Sequence, residues 1–209
     1  MPGRVDQLIR RLGQANGRRA IRAYHGSPYD FDRFDASRAR SGTGTQQAGH
    51  GLYFAENERI ARRYKRHQGK LYEVEIAHPQ NRFLDFEAPL ADQPPAAMAI
   101  AAASKRLPKG DAGLYADFLN ESPDGYDAYM LLDSLMGPRE AAVAMRELGV
   151  PGVRFLDVTG EGTRNYVMFP GTEDSIRILR KYGLLAPMAA GASQGDEYGQ
   201  SSIRAEIAR

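Results

Sequence analysis

Two groups of strand-like segments, separated by a long helix-like segment, are the feature that most limits the folds open to this chain. β-branched and aromatic residues concentrate in segments up to Ile76 and again from Gly152 to Tyr182, whereas residues 92–149 are rich in alanine and leucine. The middle segment is interrupted by prolines and glycines and predicts three or four helices ending at Gly149. Two blocks of strands with helices between them favour an α+β domain over a doubly wound parallel sheet.

The same patterns divide the 209 residues into one domain and two end segments. Residues 20–184 form the predicted domain, which is long enough to enclose a hydrophobic core. Residues 1–19 carry apolar side chains at helical spacing among arginines and predict a basic amphipathic helix. Residues 185–209 are small and polar and predict a flexible tail.

Local patterns also predict the setting of individual strands. Residues 71–76, "LYEVEI", alternate between two faces, so we expect a half-buried strand. Residues 152–182 predict an antiparallel meander of three consecutive strands, with glycines in the connecting turns. Residues 27–51 are poor in aliphatic side chains and predict a long loop, and long loops in compact domains are commonly functional or mobile.

Composition and motifs exclude several classes of protein. The chain has no cysteine, which excludes disulfides, thiolate metal sites and cysteine nucleophiles and fits a cytoplasmic location. Its four histidines lack the spacing of paired metal ligands, so no metal site is predicted. The sequence has no G-x-S-x-G, no Walker motif and no apolar run long enough to span a membrane. A net charge of +2 does not by itself indicate a nucleic-acid partner.

Three segments at predicted strand positions carry hydrogen-bonding and aromatic side chains. They are "YHGS" at residues 24–27, "GLYFAENERIARRY" at residues 51–64 and "RNYVMF" at residues 164–169. Taken alone, His25 is explained better as a packed histidine, and Tyr53 as a core tyrosine. Taken together, the three segments are able to line one cleft.

The order and spacing of these segments resemble the ADP-ribosyltransferase superfamily of the diphtheria-toxin and poly(ADP-ribose)-polymerase type, which is marked by a His–Tyr–Glu triad. His25 and Gly26 resemble the end of the family's first motif. The sequence around Tyr53 resembles the second, in which the following helix carries another tyrosine, here Tyr64. "RNYVMF" resembles the third, and the whole is most similar to a divergent branch associated with phage polyvalent proteins. The resemblance implies split antiparallel β-sheets with a helical insertion between the strand blocks.

The resemblance also implies a substrate and roles for individual residues. NAD would be cleaved at its glycosidic bond, with release of nicotinamide. His25 would hydrogen-bond a ribose hydroxyl, Gly26 would hold the nicotinamide carboxamide through its backbone, and Ser27 would add a hydroxyl group. Tyr53 and Tyr64 would enclose the nicotinamide ring between flat aromatic faces.

The long loop receives a role from the same resemblance. The loop from Asp30 to Gly49 would cover the adenosine half of NAD. Its arginines, between Arg33 and Arg40, would lie near the two phosphates.

Two positions depart from the family pattern. Asn165 stands where the family has its catalytic glutamate, so hydrogen bonding is retained and the negative charge is lost. Glu161, in the preceding turn, is the nearest carboxylate in the sequence and is a candidate to compensate. Ala61 stands where the polymerase branch has a serine that binds the carboxamide. Loss of the carboxylate is expected to slow the chemistry without abolishing NAD binding.

Three hypotheses of function follow. The first is a mono-ADP-ribosyltransferase that modifies a protein in the cytoplasm of a bacterial host cell, with His25, Tyr53, Asn165 and Glu161 as catalytic candidates. The second is a catalytically silent module of a phage or virion protein that binds NAD or another partner, which Asn165 favours. The third, not favoured, is nucleic-acid binding through the basic N-terminus and residues 59–66, with steeply salt-dependent affinity. No membrane partner is expected.

Overall fold

The computed structural model describes residues 20–38, 47–65, 69–157, 159 and 161–183, and within them seven strands and five α-helices. The strands are β1 (Ile21–Ser27), β2 (Leu52–Ala55), β3 (Lys70–Ile76), β4 (Leu84–Asp85), β5 (Gly152–Leu156), β6 (Arg164–Met168) and β7 (Ile176–Tyr182). The helices are α1 (Glu58–Tyr64), α2 (Pro94–Ser104), α3 (Lys109–Leu119), α4 (Gly125–Met136) and α5 (Pro138–Glu147). The helix predicted within residues 1–19 and the tail predicted at residues 185–209 lie outside the described residues.

All seven strands belong to one sheet, in the order β4-β5-β6-β2-β1-β3-β7. The β4–β5 pair is parallel and the other pairs are antiparallel. β1 and β2 share a single register pair, Tyr24 opposite Ala55, whereas β1 pairs with β3 along its whole length. The sheet is therefore split beside Tyr24 into a three-stranded and a four-stranded part. The predicted α+β class, with helices between two strand blocks, is confirmed.

The two faces of the sheet pack against different parts of the chain. One face of β4, β5 and β6 lies on helices α2 to α5, with Tyr129 and Phe169 buried in that core. The other face is covered by the segment that follows β1, whose Phe34 packs with Phe54 and Tyr72. Because a separate hydrophobic core lies on each face, the split between β1 and β2 is flanked by well-packed structure.

The prediction of a half-buried β3 is wrong, because both faces of this strand are covered. Glu73 is only 1% exposed, and its carboxylate accepts a hydrogen bond from the Tyr182 hydroxyl at 2.7 Å. The same carboxylate pairs with Arg22. The neighbouring strands β1 and β7 thus supply the partners that a buried carboxylate needs.

The predicted meander of the last three strands is also wrong. β5 and β6 pair antiparallel, but β6 then pairs with β2, and β7 crosses to the far edge of the sheet to pair with β3. Ile176 and Ile178 of β7 pack against the same core as Val74 of β3. Local alternation predicts that a strand forms, but apolar partners distant in sequence decide where it lies.

The middle segment forms four helices, α2 to α5, as predicted. The Asp124 side chain accepts the Asp127 N–H at 2.8 Å and so caps α4. Gly125 allows α4 to begin directly against β4, because a Cβ at this position would lie 2.1 Å from the Asp85 carbonyl oxygen. None of the helices in the described ranges combines the length and the hydropathy needed to cross a membrane.

Candidate active site

A cavity of about 1330 Å³ opens where β1 and β2 part. Six residues predicted to form a site lie in its lining, and they are His25, Gly26, Ser27, Tyr53, Tyr64 and Asn165. Sites for one small molecule typically have volumes of about 300–1,000 Å³. The cavity therefore has room for a dinucleotide and for part of a second molecule.

One row of side chains crosses the sheet along this cavity. Phe155 lies opposite Asn165, Asn165 opposite Ala55, and Ala55 opposite Tyr24. Residues directly opposite in antiparallel strands point to the same face, so these four side chains share a face, and all four line the cavity. Tyr53, two residues before Ala55, lies on that face as a diagonal neighbour of Asn165.

The His25 ring lies in the split between β1 and β2. Its Nδ1 is 2.7 Å from the Tyr53 carbonyl oxygen, and because a carbonyl only accepts, Nδ1 donates this hydrogen bond. Burial lowers the pKa of His25, so the ring is neutral at pH 7. Nε2 therefore keeps a lone pair that is able to accept a hydrogen bond from a hydroxyl group.

Aromatic rings surround the rest of His25. The Phe34 ring meets it edge-on at 5.1 Å between centroids, and the Phe54 ring lies at 5.5 Å. Phe31 stacks on Tyr72 at 4.3 Å, and the Tyr72 hydroxyl accepts the Phe31 N–H at 2.9 Å. The segment after β1 thus folds back over the histidine, which is half-buried and lines the cavity.

Gly26 is required by the packing of α1 on β1. A Cβ at this position would lie 1.9 Å from the Ala61 carbonyl oxygen and 2.9 Å from the Lys65 nitrogen. Helix backbone already occupies that space, so close approach of a ligand is not needed to explain the glycine. The neighbouring Ser27 uses its Oγ to accept the Tyr29 N–H at 3.1 Å, which fixes the turn after β1.

Tyr53 is held by two hydrogen bonds at its hydroxyl group. Oη donates to the Gly49 carbonyl at 2.8 Å and accepts the Ala48 N–H at 3.1 Å. Burial raises the pKa of Tyr53, so the phenol stays protonated at neutral pH. Because the hydroxyl is occupied by the chain just before β2, Tyr53 presents its ring to the cavity.

Tyr64 stands at the end of α1 and is 47% exposed. Helix α1 is fixed at its start by Asn57, whose Oδ1 accepts the Arg59 N–H at 3.0 Å. Ala61, almost one turn before Tyr64, is buried and lines the same cavity. This wall therefore offers an aromatic ring and a methyl group, with no side-chain hydrogen bond from position 61.

Asn165 lies in the middle of the row of side chains and is half-buried. Within the described part of the chain, its side-chain amide has no hydrogen-bond partner. An asparagine side chain carries two N–H donors and one accepting oxygen. These groups are available to a ligand in the cavity.

The structure does not bring Glu161 to this site. The turn before β6 places its carboxylate 2.9 Å from the Asn57 Nδ2, which donates to it, and 4.0 Å from Arg59 Nη1. Glu161 is absent from the described residues that line the cavity. It is therefore not placed where it would replace the charge that Asn165 lacks.

Two arginines of the loop after β1 line the cavity, and each lies beside a carboxylate. Arg33 pairs with Asp174, and Arg38 Nε is 3.8 Å from Asp35. Both carboxylates line the cavity as well, so the positive charge is partly balanced. Arg40 lies outside the described residues.

The basic face of α1 is also partly neutralised. Arg62 Nε donates to Glu58 Oε1 at 2.7 Å, and Arg59 lies near Glu161. Arg66 and the basic residues 1–19 lie outside the described residues. The described part of α1 is thus a mixed-charge surface, which weakens the case for a nucleic-acid groove.

The wall of the cavity beyond Asn165 was not predicted from the sequence. This wall contains Phe86, Glu87, Tyr126 and Phe155. The available signal was an aromatic residue beside acidic ones in "DFE" at residues 85–87 and "GYD" at residues 125–127. The same pattern is typical of ordinary strand ends and helix starts, so it does not by itself identify a site.

Comparison with models of known families assigns the chain to one of them. A family model described as ADP-ribosyltransferase in polyvalent proteins matches residues 15–130, which is more than half of the chain. The matched region contains His25, Tyr53 and Tyr64 and ends before Asn165. No curated protein and no solved structure matches the chain. The chain belongs to the ADP-ribosyltransferase family of polyvalent proteins.

Proposed function

We propose that this protein is an NAD-dependent mono-ADP-ribosyltransferase that transfers ADP-ribose from NAD to a protein acceptor and releases nicotinamide. Family membership supports ADP-ribosyl transfer in general. One observation carries the finer proposal: His25, Gly26, Tyr53, Tyr64 and Asn165, which are distant in sequence, line a single cavity.

The groups that line the cavity suit the nicotinamide riboside half of NAD. His25 Nε2 accepts a hydrogen bond from a ribose hydroxyl, since Nδ1 is already committed to Tyr53. The rings of Tyr53 and Tyr64 offer flat faces for the nicotinamide ring. Gly26 lines the cavity and supplies backbone N–H and C=O groups for the carboxamide.

The loop after β1 suits the other half of NAD. Arg33 and Arg38 lie in the cavity lining, where they are able to bind the two phosphates. A bound pyrophosphate would take Arg33 from Asp174, with which it pairs in the structure. We therefore expect NAD affinity to fall as salt concentration rises.

Asn165 sets the expected rate. Cleavage of the glycosidic bond develops positive charge on the ribose, and catalysis depends mostly on positioning and electrostatics. The Asn165 amide hydrogen-bonds a ribose hydroxyl but brings no negative charge. A carboxylate about 4 Å from the developing cation contributes up to about 4 kcal/mol at an effective dielectric constant near 20. We therefore expect slow transfer with intact NAD binding.

The test is incubation of the protein and a bacterial lysate with NAD labelled in its adenosine half. Label is expected on protein, and His25→Ala and Tyr53→Ala are each expected to abolish it. Glu161→Gln is the matched control, because this residue lies outside the cavity and glutamine still accepts the bond from Asn57. Transfer that survives both alanine substitutions would contradict the site assignment.

Asn165 also favours a second candidate, a silent module that binds NAD without cleaving it. Calorimetry with NAD, followed by chromatography for free nicotinamide, separates the two. Binding without any nicotinamide release supports the silent module. Absence of NAD binding contradicts both proposals.

A further inference from the structure

A wall of aromatic rings with one carboxylate closes the cavity beyond Asn165. The Phe86 and Phe155 rings stack at 6.0 Å between centroids with 25° between their planes. The Tyr126 ring meets Phe86 edge-on at 5.3 Å and is 43% exposed. Glu87 lies in the same wall. The proposed roles for NAD leave these four residues unused.

The wall is held rigidly by backbone contacts between the end of β4 and the start of α4. The Tyr126 N–H donates to the Phe86 carbonyl at 3.2 Å, and the Gly125 N–H donates to the Ala88 carbonyl at 3.0 Å. Gly125 itself leaves no room for a Cβ against Asp85. The rings and the carboxylate are therefore preorganised, and preorganisation reduces the entropy cost of binding.

The Glu87 carboxylate retains unused hydrogen-bonding capacity. Oε1 accepts the Leu156 N–H at 2.7 Å, and Oε2 is 3.4 Å from Arg164 Nη1. A carboxylate accepts about four hydrogen bonds, so free lone pairs remain. Burial raises the pKa of Glu87, and the neighbouring Asp85 carboxylate acts in the same direction, which makes Glu87 a better proton acceptor.

The wall lies within reach of the reacting bond. Phe155 is directly opposite Asn165, and Phe86 directly follows β4, the strand on the other side of β5. Adjacent strands are about 5 Å apart, so the wall begins about 5 Å from Asn165 and extends to about 10 Å from it. A group bound there would stand beside the ribose that Asn165 contacts in the proposed function.

We propose that this wall binds the guanidinium group of an arginine side chain on the acceptor protein. Aromatic faces attract cations, and a carboxylate pairs with them. A planar guanidinium group stacks on rings and binds a carboxylate through two N–H groups, which an ammonium group does not do. This inference rests on the proposed function and names its acceptor as arginine.

The transfer step involves NAD, the guanidinium group of the acceptor and Glu87. The bond between ribose C1′ and nicotinamide N1 breaks, and its electron pair leaves with nicotinamide. A guanidinium nitrogen gives up a proton to the Glu87 carboxylate and uses the freed electron pair to form the new bond to C1′. Glu87 then passes the proton to solvent.

Calorimetry with butylguanidine and with butylamine tests the site without NAD. Butylguanidine is expected to bind more tightly than butylamine. Glu87→Gln is expected to lower the affinity for butylguanidine about tenfold, because the glutamine side chain has no charge but still accepts the Leu156 N–H. Tyr126→Leu, which removes an exposed ring, is expected to lower the affinity for butylguanidine several-fold. Glu121→Gln, an exposed control outside the cavity, is expected to change nothing.

Nicotinamide release in the presence of NAD then separates this inference from the proposed function. Stimulation by butylguanidine, with an ADP-ribosyl adduct seen by mass spectrometry, supports both. Butylguanidine binding that Glu87→Gln weakens, with no nicotinamide release, supports the guanidinium site and contradicts the proposed function. Release with no butylguanidine binding, or equal binding by the Glu87→Gln and Glu121→Gln variants, overturns the inference and leaves the proposed function standing.

Discussion

Replacement of Gly26 by alanine tests the closest packing in the site. The added Cβ would lie 1.9 Å from the Ala61 carbonyl oxygen, and Cβ atoms essentially never approach a neighbour closer than 3.0 Å. The helix backbone must therefore move by at least 1.1 Å, the difference between these two distances. Overpacking of this kind typically costs about 1–3 kcal/mol of folding free energy. The shift also carries Tyr64 and changes its distance from Tyr53.

Urea unfolding measures the loss of folding free energy, and calorimetry with NAD measures the effect of moving Tyr64 relative to Tyr53. Gly113→Ala is the matched control, because this glycine lies inside α3 and a Cβ there meets nothing within 4 Å. Alanine in a helix interior is expected to stabilise the protein by about 0.5–1 kcal/mol relative to glycine. A Gly26→Ala variant that unfolds at the wild-type urea concentration and binds NAD normally would refute the reasoning.

Three further predictions concern the same site. Burial lowers the pKa of His25 from 6.5, so the unfolded chain binds a proton at a higher pH than the folded chain does. The free energy of unfolding is therefore expected to fall as pH drops below 6.5. Urea titrations at several pH values are expected to show a weaker dependence of this free energy on pH in His25→Gln. Tyr53→Phe leaves the Ala48 N–H without its partner and is expected to cost about 1–2 kcal/mol while NAD still binds, so loss of NAD binding in this variant would contradict a role for the ring alone. Asn165→Glu restores a carboxylate and is expected to raise the rate of nicotinamide release at least about tenfold, measured by chromatography; an unchanged rate would show that charge at this position does not limit the reaction.

Much of this arrangement could be predicted from local sequence. "YHGS" and "GLYFA" identify β1 and β2 because each places aromatic side chains beside a glycine, and the spacing to Tyr64 follows from one short helix. Ile21 and Ala23, two residues apart, share the buried face of β1, as the period of a strand requires. Such features depend on neighbours a few residues away, which is the range over which periodicity carries information.

Features that depend on distant partners could not be predicted. Glu73 reads as a solvent-facing residue, and only the pairing of β3 with β1 and β7 brings Arg22 and Tyr182 to it. Glu161 is close to Asn165 in sequence, yet it faces Asn57 because the turn before β6 lies over the start of α1. The wall at Glu87 joins strand ends and a helix start that no local pattern connects.

The single register pair between β1 and β2 has a consequence for amide hydrogen exchange. Side chains such as Phe34, Phe54 and Tyr72 pack in one core that spans the split. In the backbone, however, a local opening there needs only the loss of one pair, Tyr24 with Ala55, and of the His25 contact to Tyr53. Amides along this seam are therefore expected to exchange through a low-energy local opening, and those in the middle of β3 and β6 only on global unfolding. A ligand that bridges the seam would slow exchange there without altering exchange in the middle of β3 and β6.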